Sequence, residues 1–410
     1  MTTSDFAAGE AAPGGPSMTV VTNHELLGDT HAAFRRIRSV TPVAMHESGV
    51  FIITRAKDIE ALAKDDRLRA TTTEFPQMMD FPEGALFNFF RYGMLTSNGQ
   101  DHRRRRAPFS RTFAAKLITD LRPTMRSVAH SLIDGWTRGS QINLVDDYAS
   151  PIPARIISGM LGLATKDIPY FTELVYSVSR LFYLSNTKQE ILEIEAAGAL
   201  LCEYVEKVLA DRRRHPRDDF LSAFLSTVDE GNELSSLEIT IQIFTMILGG
   251  TDTTRVAFAA LVGVLLDHPD QWDQVCDDPS LAPKAVQESL RYEPSVAGFA
   301  RVTLEDVDLE GHILPAGRMV LLSTMSAMRD AAAYQDPDVF NIHRADLPRL
   351  HPIFGAGAHR CIGEALARAE LEEGLLALTE RLPHMQLVAE RAKLVGFDGI
   401  RRCGQLIVQT

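Results

Sequence analysis

From Ile241 to Leu266 the chain is apolar for long enough to cross a bilayer, yet Asp252 and Arg255 interrupt it at mid-length, with Thr251, Thr253 and Thr254 beside them. A charged centre is costly in lipid, so no membrane insertion is expected. A helix that is apolar all round and carries a polar notch belongs instead in the core of a large protein. That constrains the rest of the chain, which must supply a shell covering the helix on every side. With 410 residues, 45% hydrophobic and 23% charged, the chain has the material for it.

Around that helix the hydrophobic spacing is mostly helical. Leu371, Leu375, Leu378 and Leu382 recur at three and four residues until Pro383 stops the pattern. Leu281–Arg291 reads as another helix, with Pro283 tolerated in its first turn and Pro294 beyond its end. Short β-type runs occur at Pro42–His46, Val50–Thr54, Met319–Ser323 and Leu406–Gln409, the first two joined by a Glu47-Ser48-Gly49 turn. Strands and helices do not alternate as a parallel sheet requires, so the expected class is mainly α with a small β portion. There is no internal repeat and no long linker. One domain is therefore expected over 19–410, behind a flexible tail at 1–18 rich in Ala, Gly, Pro and Ser.

The N-terminus has neither the basic region nor the apolar run of a signal peptide. A formal net charge of -12 and a pI near 5.5 argue against nucleic acid and anionic membranes as partners. Cys202, Cys276, Cys361 and Cys403 lie far apart with no CxxC spacing. That argues against a zinc knuckle or a disulfide framework and fits reduced thiols in the cytoplasm.

The segment Phe354-Gly355-Ala356-Gly357-Ala358-His359-Arg360-Cys361-Ile362-Gly363 carries the most chemical information. Two glycines permit a tight turn and close approach of the backbone to a flat ligand. Cys361 precedes a helical pattern, where the N-terminal dipole and free backbone N–H groups favour a thiolate. N–H···S bonds to such a sulfur tune a bound iron. A buried structural role is the ordinary one for a lone cysteine, but the ten-residue arrangement is not that of a core thiol. A cysteine nucleophile is the other alternative. His359 is two residues away as a base, with no third group to orient it.

This segment resembles the haem-binding signature of the cytochrome P-450 family, F-x-x-G-x-H/R-x-C-x-G. The resemblance implies the P-450 fold, with haem b held between the long oxygen-activating helix and the helix after the cysteine. Cys361 is then the ligand of the iron, and Phe354 and Gly355 belong to the haem-binding loop. A thiolate ligand pushes electron density onto iron and favours O–O cleavage.

Further motifs occur in the family's order. Glu288-Ser289-Leu290-Arg291 resembles the ExxR motif, and Asp336-Pro337-Asp338-Val339-Phe340 with Arg344 resembles the segment that supplies its third partner. The implied role is structural, a buried Glu288–Arg291–Arg344 network. Taken alone, an E-x-x-R pair is usually a solvated surface pair worth little. Gly249-Gly250-Thr251-Asp252-Thr253-Thr254 resembles the family's A/G-G-x-D/E-T-T motif, with glycine at its first position. Adjacent glycines weaken a helix and invite a kink, and the Thr253 hydroxyl can bond back to the Gly249 carbonyl. The implied role of Asp252 and Thr253 is to deliver protons during dioxygen activation.

His102-Arg103-Arg104-Arg105-Arg106 has the look of a basic patch, which for so short a run is usually a solvated face. His102 and Arg106 share one helical face and resemble the family's H-x-x-x-R pair. They, with Arg301 and His359, are the implied holders of the haem propionates, which need charge-assisted donors when buried. The remaining arginines, with Arg111 and Arg360, are expected to form a surface for an acidic electron donor.

The resemblance implies a monomeric monooxygenase that takes O2, an apolar small organic substrate and electrons from a separate ferredoxin and its reductase. The chain ends at Thr410, soon after Cys361, so no fused flavin reductase is expected. Expected pocket residues are Phe87, Phe89, Leu248, Val296, Ala297, Phe299 and Phe397, each of which also suits an ordinary core. Two alternatives stand beside this reading. One is a hydrogen-peroxide-driven peroxygenase, disfavoured because Asp252 and Thr253 are present. The other is a non-catalytic helper of the same fold, disfavoured because Cys361 is intact.

Overall fold

The computed structural model describes residues 17–113, 115–182, 186–231, 233–348 and 351–410, so all but Ser17 and Met18 of the expected tail lie outside the described residues. Contacts divide the chain into two compact units, each assembled from segments distant in sequence. One takes the described residues up to Thr71, Lys284–Cys361 and Lys393–Cys403; the other takes Thr72–Pro283, Ile362–Ala392 and Gly404–Thr410.

The second unit is chiefly helical, and its axis is the Ser236–Asp267 helix. A capping box starts it. The Ser235 hydroxyl accepts from the Glu238 N–H, and the Glu238 carboxylate accepts from the Ser235 N–H. Every residue from Glu238 to Leu248 and from Val256 to Leu265 is buried, so a polar face has no place there. The helix is long and apolar enough to cross a membrane, but 78% of its most apolar window is buried inside the protein, which makes it a core helix.

Tandem glycines do not break this helix, which runs on through Gly249 and Gly250. Their surroundings differ. A Cβ on Gly250 would lie 2.8 Å from Ile157 Cδ1, whereas one on Gly249 would meet nothing within 4 Å. The Glu364–Arg381 helix packs along Ala115–Ile133, fastened by Arg122 to Glu372 and Glu373 and by Arg126 to Glu373. Leu86, Phe89, Phe109, Phe224, Phe244 and Ile247 belong to the core of this unit. A small antiparallel sheet joins Gln386–Leu387, Ile407–Gln409 and Gln141–Asn143.

The first unit contains a six-stranded sheet in the order Thr19–Val21, Val43–His46, Phe51–Ile53, Met319–Leu322, Phe299–Thr303, Leu68–Ala70. The expected hairpin is present: the Gly49 N–H donates to His46 O at 2.8 Å, and Gly49 takes φ 85°, which favours glycine. Val43, Phe51, Ile53, Val320 and Leu322 form the core beneath this sheet. The Ala282–Tyr292 helix carries Glu288 and Arg291.

Candidate functional site

The cysteine loop is set by its own backbone. His351 O accepts from the Phe354 N–H at 3.2 Å, Pro352 O accepts from the Gly355 N–H at 2.9 Å, and Phe354 O accepts from the Cys361 N–H at 2.8 Å. Gly355 and Gly357 take φ 70° and 62°, which is why glycine stands at both positions. The Arg360 guanidinium donates to Gly355 O at 2.9 Å and closes the loop. Cys361 is exposed, and the Glu364–Arg381 helix begins three residues later. Two of the other cysteines differ in kind: burial pushes the Cys202 thiol up to about 12 and the Cys276 thiol up to about 11. His359 lies in the short 3-10 turn Gly357–His359 of the same loop.

In the same unit as the loop, Glu288, Arg291 and Arg344 meet. Arg291 Nε and Nη2 donate to the two Glu288 oxygens at 2.7 and 2.8 Å, and Arg344 Nε lies 3.3 Å from the same carboxylate. The remaining guanidinium donors reach backbone oxygens and, from Arg344, the Asp346 carboxylate at 3.2 Å. Arg291 donates to Met328 O and Pro337 O at 2.9 and 2.7 Å, and Arg344 donates to Asp336 O and Val339 O at 3.0 Å. The Asn341 N–H fills a further Glu288 lone pair at 2.9 Å. A buried ionic network is tolerable only when its members are satisfied in this way.

Arg301, on the Phe299–Thr303 strand, is buried; its guanidinium stacks on Phe299 at 4.7 Å and donates to Ala300 O at 2.9 Å. No carboxylate pairs with it among the described residues, and burial alone brings its pKa down to about 10. Such a cation fits an anionic ligand group, and a propionate of haem b meets that need. Val296 and Ala297 lie just before this strand. The Ala297 N–H donates to Gly399 O at 2.9 Å, and Val296 pairs with Ile400. Phe397 is buried, its ring 5.3 Å from that of His46.

In the helical unit, the Thr253 hydroxyl donates to Gly249 O at 2.8 Å. Asp252 has no exposed surface. Arg255, one turn on, donates from Nε to Asp252 Oδ1 at 2.8 Å and also reaches that oxygen through Nη2, while Oδ2 is buried with no partner among the described residues. Burial raises the Asp252 pKa, and Arg255 opposes that rise without cancelling it. The other side of Arg255 stacks on Tyr176 at 4.7 Å, whose hydroxyl donates to Ser150 O at 2.7 Å. Arg155, Thr172, Tyr176 and Arg255 line an open cavity of about 410 Å³. Arg255 was legible only as a charge in an apolar run, although its three-residue spacing from Asp252 matches that of Glu288 and Arg291. Glu370 is fully buried with both oxygens unpartnered among the described residues, and burial pushes its carboxyl well above the usual range.

His102 and Arg106 lie on the Gly99–Thr112 helix. Burial, then the charges of Arg106 and Arg103, lower the His102 pKa to about 4. The ring is therefore neutral at neutral pH.

The basic patch expected beside them is smaller than the sequence suggests. Arg105 is buried, and its Nε and Nη2 donate to Glu238 at 3.0 and 2.9 Å; Arg104 is bound to the same carboxylate at 2.5 Å and to Asp101 at 2.8 Å. Burial works to raise the Glu238 pKa, but the bonds from Arg104, Ser235 and Arg105 outweigh it and hold it at about 2. These two arginines fasten a helix to the start of the core helix and are not offered to a partner. Arg103 and Arg111 remain exposed. Phe87, Phe89 and Leu248 are buried; Arg91 stacks on Phe87 at 4.8 Å, and Phe89 packs on Phe90 and Phe244 at 5.0 and 5.7 Å.

Comparison with known proteins identifies the family of the chain. A family model described as cytochrome P-450 matches residues 17–384. Cytochrome P-450-pinF1, plant-inducible, of Rhizobium radiobacter is 40% identical over 379 residues, covering 92% of this chain and 90% of that protein. Nocardicin C N-oxygenase of Nocardia uniformis subsp. tsuyamanensis is 34% identical, covering 88% of this chain and 89% of that protein. A crystal structure of P-450BioI, in complex with an acyl carrier protein ligated to hexadec-9Z-enoic acid, has a TM-score of 0.85 at 26% identity, covering 94% of this chain and 99% of that one. The chain belongs to the cytochrome P-450 family, a haem b monooxygenase of mainly helical fold.

Proposed function

We propose that this monooxygenase inserts one atom of O2 into a largely apolar small organic substrate, using electrons from a separate ferredoxin and its reductase, with Cys361 Sγ as the ligand of the haem iron. The observation that carries this reading is the loop: a backbone-tied turn with two glycines at positive φ, ending on an exposed cysteine ahead of a helix. Helix N-terminal N–H groups favour the thiolate there.

Bound haem supplies dioxygen activation and the oxidising equivalent. The chain's own residues supply the rest. Arg301, His102, Arg106 and His359 bind the propionates, and the buried, acid-free environment of Arg301 supports that role. Thr253 commits its hydrogen to Gly249 O, so its oxygen presents lone pairs as an acceptor. Asp252 Oδ1 is engaged by Arg255, which leaves Oδ2 as the atom that takes up and releases a proton. A Cβ on Gly250 would require the Ile157 side chain to shift. By resemblance to the family, Phe87, Phe89 and Leu248 of the helical unit, and Phe299 and Phe397 of the other, are the proposed substrate-facing residues.

Exposed Arg103 and Arg111 support docking of an acidic electron donor. We further infer a cytoplasmic monomer in which 19–410 act as one catalytic domain, since each unit is assembled from segments distant in sequence.

The test is the visible spectrum of the ferrous carbon monoxide complex, wild type beside Cys361→Ser. A strongly red-shifted Soret band that the substitution abolishes is expected. An unshifted wild-type band, or no haem, overturns thiolate ligation and brings the non-catalytic helper forward. Full activity with hydrogen peroxide alone, and none with ferredoxin, reassigns the chain as a peroxygenase.

A further inference from the structure

We propose that the open cavity lined by the Pro151–Met160 and Ile168–Ser179 helices binds a small organic carboxylate on Arg155 and Arg255, and that its occupancy is coupled to the charge of Asp252. The regulatory half of this rests on the reading of Asp252 as a proton-relay acid.

Arg255 stands between an interior acid and the outside. The Asp252 side chain has no exposed surface, and Arg255 serves it from one edge of the guanidinium, with Nε at 2.8 Å and Nη2 on the same oxygen. Yet the Arg255 side chain is 18% exposed and forms part of the cavity wall. The Tyr176 ring supports the guanidinium at 4.7 Å and is itself anchored, its hydroxyl donating to Ser150 O at 2.7 Å. One positive charge is thus shared by an acid that solvent cannot reach and a cavity that it can.

The rest of the wall fits an anion with an apolar body. Arg155 brings a second guanidinium, whose hydrogen bond among the described residues is to the neutral Ser131 hydroxyl at 3.2 Å. Two cations lining one space repel, and an anion between them relieves that repulsion. Asp146, the acid of the lining, is exposed and accepts from the Asn143 amide at 2.6 Å. The Thr172 hydroxyl gives its hydrogen to Ile168 O at 2.7 Å and Tyr176 gives its own to Ser150 O, so the arginines are the donors for a ligand. Guanidinium matches carboxylate geometry, and Ile168 and Pro169 suit a ring or short chain behind it. A volume of about 410 Å³ has room for a monocyclic acid.

Two carboxylates then draw on Arg255, Asp252 from inside and the ligand from the cavity. A ligand that takes a share of the guanidinium weakens its hold on Asp252. Coupling of this kind is reciprocal: neutralising Asp252 strengthens the ligand, and the ligand favours the neutral acid. A relay acid must release its proton as well as take one up, so an occupied cavity slows the relay.

The experiment titrates the haem-loaded protein by calorimetry with benzoate, benzyl alcohol and benzyltrimethylammonium, which share a ring and differ in charge. The titrations are repeated in Arg155→Gln and Asp252→Asn, since removing Arg255 itself would strand Asp252 as a buried unpaired acid. The Soret band is recorded throughout, because a ligand above the haem shifts the spin state and one in the cavity does not. Wild type is expected to bind benzoate about tenfold or more tighter than the alcohol, with the cation weakest and no Soret shift. Arg155→Gln is expected to weaken benzoate about tenfold, and Asp252→Asn to tighten it about fivefold or more. Four results overturn the proposal: no preference for benzoate in wild type, binding that shifts the Soret band, an affinity that survives in Arg155→Gln, or one that fails to rise in Asp252→Asn. Turnover of Asp252→Asn without benzoate tests the relay reading by itself, and the ferrous carbon monoxide spectrum tests the cysteine ligand, so a failure of either is told apart from a failure of the carboxylate site.

Discussion

Arg291 lies one helical turn after Glu288 and engages both oxygens of its carboxylate, at 2.7 and 2.8 Å, with neither side chain reaching solvent. Removing one member strands the other as a buried charge. Glu288→Gln and Arg291→Leu are each expected to destabilise the fold by about 3–5 kcal/mol, read from the urea midpoint. A loss below about 1 kcal/mol would show that the network is not a keystone of its unit.

Arg301 should have opposite effects in the two states of the protein. Without haem its buried guanidinium has no acid partner, so Arg301→Leu is expected to raise the melting temperature of the haem-free protein. With haem the same change removes a propionate partner, and haem dissociation is expected to accelerate about 30-fold or more. Transfer of haem to apomyoglobin measures the second effect. Unchanged retention in both Arg301→Leu and His102→Ala would refute their assignment to the propionates.

Thr253→Ala is expected to uncouple electron use from product formation, and Asp252→Asn to slow turnover about 100-fold, the usual scale for a lost proton-transfer group. Arg255 restrains the rise that burial imposes on Asp252, so Arg255→Ala should raise the Asp252 pKa further. Infrared spectroscopy tests this directly: a protonated carboxyl band should appear at higher pH in Arg255→Ala than in wild type, and vanish when Asp252→Asn is added. Full coupling in Thr253→Ala would exclude it from the relay.

The two adjacent glycines of the core helix should respond in opposite directions. Gly249 has open space where a Cβ would stand, so Gly249→Ala should stabilise the haem-free protein by about 0.5–1 kcal/mol through helix propensity. At Gly250 the new methyl meets Ile157 Cδ1, and Gly250→Ala should cost about 1–3 kcal/mol through overpacking. Thermal melts of the two variants suffice.

Asp398 makes stability depend on pH. Its carboxyl titrates at about 6 in the fold against 3.8 when unfolded, so the folded state holds more protons between those values. Stability is therefore highest below about pH 4 as far as this group is concerned, and is lost as pH rises through about 6. Asp398→Asn should remove that decline, a gain of roughly 1–3 kcal/mol at neutral pH after allowance for its partial exposure. Parallel pH profiles of the two proteins would refute the burial of this acid.

Local features were legible because their causes are local. All four expected strand runs contain an observed strand that ends within one residue of them, since β-type residues bounded by turns are recognisable in place. The core helix announces itself by composition, and the cysteine loop by glycines that only positive φ explains. Arg104 and Arg105 were misjudged because their shared partner, Glu238, is remote in sequence and no spacing rule connects them.

In the first unit, the Phe51–Ile53 strand pairs with Met319–Leu322, so one edge of a central hydrogen-bonded ladder is made early and the other very late. At about 5–20 residues per second, the earlier strand leaves the ribosome roughly 15–50 s before its neighbour exists. Through that interval its backbone N–H and C=O groups form an open, sticky edge next to apolar Val43, Phe51 and Ile53. Both units also need segments beyond Cys361, so neither can close until the chain is nearly finished. Nascent chains of this protein must therefore be shielded during synthesis, and recovery of soluble material will depend on chaperone supply and growth temperature more than on the final stability of the fold.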